Sequence, residues 1–166
     1  MIKDGINRHL IPALEYEIRR GSSEEYIMEN FKADSISSVL TFENVLKSEL
    51  VITNVRPSTY IMLVDCFRTL EGRFQSIRTA DTVFDLYLGL NVINSYLDYY
   101  QFIKDLEVDN PRLSENEALT RIIEYNQTHW DGSLPKNMDF LKEFMDEDVL
   151  DEFIERNRSY FDNLLK

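Results

Sequence analysis

The 166 residues include one cysteine, one tryptophan, two histidines, five glycines and four prolines, and each shortage removes a class of explanation. A single cysteine, Cys66, forms no internal disulfide. Within the apolar run YIMLVDCF it reads as a small buried hydrophobe. His9, His129 and Cys66 lie far apart with no ligand spacing between them, so a zinc centre is not indicated. No glycine pair approaches a phosphate-binding or dinucleotide-binding loop, and no serine sits in a G-x-S-x-G elbow. There is no apolar run of about 18 residues, the length that spans a bilayer. The first residues, MIKDGINRHLIPALEYE, reach charged side chains before a signal-like apolar segment of about 7–15 residues can form. The expectation is a cytoplasmic protein with no metal and no cofactor.

What the chain does have is core-forming material. Apolar residues make up 43% and aromatic residues 12%, enough to bury a core and to argue against general disorder. The length suits one domain, residues 1–166. Apolar positions recur every three or four residues almost throughout, and glycine and proline fall between these segments. The reading is therefore all-α: a single-domain bundle of about seven or eight helices.

Local signals place the helices. Pro12 belongs in the first turn of a helix with Ile11, Leu14 and Ile18 on one face, and Arg19, Arg20 and Gly21 form a stop. Ser22 or Ser23 caps a short helix, EEYIMENF, and Asp34 or Ser35 is expected to start another. Glu49 to Val55, ELVITNV, is the one segment with strand character, although helix or linker suits it equally. Pro57 opens a helix expected to end at Gly72, with Tyr60 to Val64 apolar on all sides. The longest periodic segment follows, from Thr79 or Asp81 to about Leu106, and contains Gly89, whose retention suggests that another helix approaches closely. The aromatic cluster Tyr96, Tyr99, Tyr100 and Phe102 reads as core. Ser114 and Glu117 make a capping box for the next helix, and an acidic helical pair occupies about 137–166.

The charge is unevenly placed. Net charge is −12; residues 1–82 hold 10 Lys/Arg and 12 Asp/Glu, whereas residues 83–166 hold 8 and 18. The second half thus carries −10 of the total, and it disfavours unaided contact with phosphate backbones or anionic headgroups. Nucleic acid and membrane are not the expected partners. A basic protein surface is.

Few groupings suggest chemistry. Asp139, Glu143, Asp146, Glu147, Asp148, Asp151, Glu152 and Glu155 form an anionic row suited to a cationic partner surface. Arg68, Arg73 and Arg78 offer guanidinium groups that could bind an anion if they converged. Asp105 to Asn116 begins like a calcium loop but has Asn110 where glycine is needed and Asn116 where a bidentate Glu is needed. Asp81 and Asp85 are a helical carboxylate pair without further ligands. The segment after Asp34 lacks the cations of a DNA-recognition helix. QTHWDGSLPKN, with His129 and Trp130, reads as a joint between helices.

These features give an expectation of a helical protein-interaction module, of inhibitor or immunity type, that uses its acidic C-terminal helices. The alternative is a motif-less enzyme or small-ligand binder with a pocket among the central aromatic helices. No catalytic motif is legible, which leaves enzymatic activity open and weighs against it.

Overall fold

The computed structural model describes residues 9–129, 139–144 and 146–156. The elements are α1 (Ile11–Arg20), α2 (Glu24–Ile52), α3 (Pro57–Arg78), α4 (Val83–Asp109), α5 (Glu115–His129), α6 (Asp139–Phe144) and α7 (Glu147–Arg156), with no strand among the described residues. The all-α expectation is met. The chain divides into two compact units, Met1–Asp105 and Leu106–Lys166.

Helix ends follow the local chemistry where a cap or a proline dictates them. Pro12 lies in the first turn of α1, and Gly21 closes that helix at φ 83°, its amide donating to the carbonyl of Ile18. That left-handed geometry is the one glycine adopts without steric cost. Ser23 caps α2 by accepting the Tyr26 amide at 3.1 Å, and Pro57 begins α3. Ser114 accepts the Glu117 amide at 3.2 Å at the start of α5.

Two expectations between residues 22 and 78 are corrected, and the one left open at Glu49 to Val55 is decided. The two helices expected between Ser22 and Leu46 are one, because Asp34 and Ser35 do not interrupt α2. Ser35 is buried and donates its hydroxyl to the Phe31 carbonyl one turn back, so its capping capacity is spent inside the helix. Glu49 to Ile52 continue α2, and only Thr53 to Arg56 are non-helical. Gly72 does not end α3 either: it is exposed in mid-helix, and α3 runs to Arg78.

In the first unit α4 is the central element. Leu86, Tyr87, Leu88, Leu90, Val92 and Ile93 are all buried, which covers every direction around the helix axis, and Tyr96, Tyr100 and Ile103 continue the burial. The Tyr60 to Val64 segment of α3, apolar on all sides in sequence, is not enclosed in this way: Tyr60 and Ile61 are exposed. Helix α3 instead buries one stripe, Leu63, Phe67, Leu70, Phe74 and Ile77, at helical spacing. Helix α2 packs on α3 and contributes Val39, Leu46 and Leu50 to the core.

Polar contacts tie the surrounding helices to α4. From α1, Glu15 accepts the Tyr87 hydroxyl at 2.5 Å; from α2, Glu49 pairs with Lys104 at 3.3 Å. From α3, the buried Cys66 sulfur lies 3.8 Å from the Tyr96 carbonyl. The connection between α3 and α4 is held from α2: Lys32 donates to the Ala80 carbonyl at 2.7 Å, and Glu24 accepts the Val83 amide at 3.0 Å. A cation thus meets a helix C-terminal end and a carboxylate meets a helix N-terminus, the favourable pairing with each dipole.

Glu24 is in effect a cap supplied from another helix. Glu24→Ala is expected to lower unfolding free energy by about 1 kcal/mol in urea titrations, the typical cost of losing a cap. Glu24→Gln, which keeps an acceptor oxygen, should cost less. Equal losses for the two variants would show that charge, not hydrogen bonding, is what Glu24 supplies.

In the second unit, α5 buries Ala118, Ile122 and Asn126, spaced four apart, while Leu119 and Ile123 remain exposed. Asn110 joins two elements there: its amide nitrogen donates to the Leu106 carbonyl at 3.0 Å and its oxygen accepts from Arg121 at 3.1 Å. Helices α6 and α7 are neighbours, with Phe140 and Leu150 buried. Of the joint expected over residues 127–137, Gln127 to His129 instead complete α5, and residues 130–137, with Trp130, lie outside the described residues, as does the His129 side chain.

Candidate functional site

The acidic row falls mainly on α7, and the helical period decides how it is displayed. At 100° per residue, Glu147, Asp151, Glu155, Asp148 and Glu152 occupy one arc of about 140°, while Leu150 lies outside that arc. Leu150 is buried and all five acidic residues are exposed, so the helix has an apolar attachment and an anionic outer face. Asp139 and Glu143 are exposed on α6, where Lys142 pairs with Asp139 at 3.1 Å. Asp146 stands immediately before α7, and its carbonyl accepts the Leu150 amide at 3.0 Å.

The energetics of this face are mixed. Asp146, Glu147 and Asp148 lie at the positive end of the α7 dipole, where carboxylates stabilise the first turn. Farther along, Glu147 and Asp151, Asp148 and Glu152, and Asp151 and Glu155 are like-charge pairs four residues apart, each costing about 0.2–0.5 kcal/mol. Residues 139–156 contain eight Asp/Glu and two Lys/Arg, a net of −6 on eighteen residues. Local helix stability alone would favour lysine at several of these positions.

The three arginines are not displayed together. Steps of five residues rotate about 140° around a helix, so Arg68, Arg73 and Arg78 leave α3 in three directions. Arg68 is exposed and Arg73 half-buried; Arg78 donates to Gln75 at 3.0 Å and has Glu43 4.0 Å away. The other candidates are equally plain. Asp105 to Asp109 are helical, and Asp105 accepts from Gln101 at 2.8 Å. Among the described residues, no three His, Cys, Asp or Glu side chains are grouped to hold a metal.

No protein family, curated protein or solved structure matches the chain. Its function has to be read from its own residues.

Tyr87, Tyr96 and Tyr100 are buried as core. An open depression of about 340 Å³ lies elsewhere, on α5, lined by Asn116, Glu117, Thr120, Arg121 and Glu124. Cys66 is buried, and burial pushes its thiol far above the usual range, which removes the thiolate needed for nucleophilic attack. No described helix is long and apolar enough to cross a membrane.

What sequence reasoning missed is buried polarity. Among the described residues, the buried Asn94 and Asn126 side-chain oxygens and the buried Tyr100 hydroxyl have no hydrogen-bond partner. No sequence pattern marks them, because the tyrosine and asparagines occupy positions that are simply part of an inward helical stripe.

Proposed function

We propose that the protein is an acidic interaction module whose α6–α7 region docks on a basic protein surface, as an inhibitor or immunity-type protein does. The observation that carries this reading is the exposed carboxylate arc of α7, whose like-charge pairs weaken the helix and so give it no local structural benefit. A row of carboxylates on a helix raises encounter rates with a cationic surface and rejects anionic competitors. Contact with the partner relieves the repulsion within the row. Free protein and complex should therefore differ in salt response.

Affinity for the partner is expected to fall steeply between about 0.05 and 0.5 M salt, because exposed pairs are screened over about 10 Å at 0.1 M. Neutralising Asp151, Glu152 and Glu155 to Asn or Gln should lower affinity at least tenfold and slow association, measured by surface plasmon resonance. The same variant should show unchanged or increased helicity by circular dichroism, since it removes like-charge pairs. Unchanged affinity with intact helicity would remove α7 from the interface.

A further inference from the structure

We draw no further inference here: the strongest candidate, the surface patch of exposed apolar side chains that Leu40, Val45, Val51 and Ile52 form along the outer face of α2, carries nothing because no feature of the structure shows what covers it.

Discussion

Tyr87→Phe is expected to lower unfolding free energy by about 1.5–3 kcal/mol, the loss associated with a hydrogen bond to a charged group. Tyr100→Phe, the same change on the same helix, is expected to be neutral or to raise stability by about 1 kcal/mol. The difference lies in the partners. Tyr87 is fully buried and donates to Glu15 at 2.5 Å, so its removal strips a half-buried carboxylate of its donor. The buried Tyr100 hydroxyl has no partner among the described residues, so folding strips its hydration and returns nothing from them. Urea titrations with unchanged m-values would read both effects as stability changes. Equal losses in the two variants would show that the Tyr100 hydroxyl has a partner in solution.

The same groups set an alkaline limit. Burial pushes the acidities of Tyr87, Tyr100 and Cys66 upward; the hydrogen bond to Glu15 adds to the shift at Tyr87, and the nearby Glu49 charge adds to it at Tyr100. In the unfolded chain the thiol ionises near pH 8.5 and the phenols near pH 10. Above those values the unfolded state holds fewer protons than the folded state, so stability falls as pH rises. It is fully present below about pH 8.5 as far as these groups are concerned. Tyr100→Phe removes one such group and should make the decline above about pH 10 shallower.

Gly89→Ala is expected to destabilise by about 1–2 kcal/mol, although the same change in an exposed helix stabilises by about 1 kcal/mol. A Cβ at Gly89 would stand 2.6 Å from Cδ1 of Ile77, which is itself fully buried. One of the two must move in a filled core. Ile77→Val deletes the offending methyl and alone should cost about 0.5–1.5 kcal/mol. The double variant should therefore be more stable than the sum of the singles predicts, with a coupling of about 1–2 kcal/mol in a double-mutant cycle. Additive losses would mean that α3 and α4 are not in contact at this point.

Gly89 also shows how much of the fold was legible. A glycine inside a strongly periodic helix has a cost, and here it stands where Ile77 of α3 leaves no room for a Cβ. Gly21, Ser23, Pro57 and Ser114 were equally readable, because each acts through backbone geometry within four residues of itself. Ser35 and Gly72 misled for the complementary reason. A serine signals a cap only when its hydroxyl is not turned back on its own helix, and a glycine signals a stop only when the chain needs a positive φ there. Tertiary packing decides both, and it leaves no mark within a few residues.

The functional surface was legible in another sense. Carboxylates four residues apart on a helix must share a face, so the α7 arc follows from sequence and period together. The arginines could have been resolved by the same reasoning, since a five-residue spacing scatters them around α3. The helical course of Glu49 to Ile52 was obscured because residues 49–55 resemble a strand in composition, and β-branched residues at a helix end look the same in sequence whether buried or exposed. The unpartnered Tyr100 hydroxyl had no sequence signal at all.

Cross-linking mass spectrometry on the protein captured with its partner from native cells tests the central claim most directly. The acidic reading predicts carboxylate-directed cross-links from Glu147, Asp148, Asp151, Glu152 and Glu155 to a lysine-rich patch, with capture abolished when Glu147, Asp148, Asp151 and Glu152 are reversed to Lys. Cross-links confined to Met1–Asp105, or capture undiminished by that reversal, would contradict it.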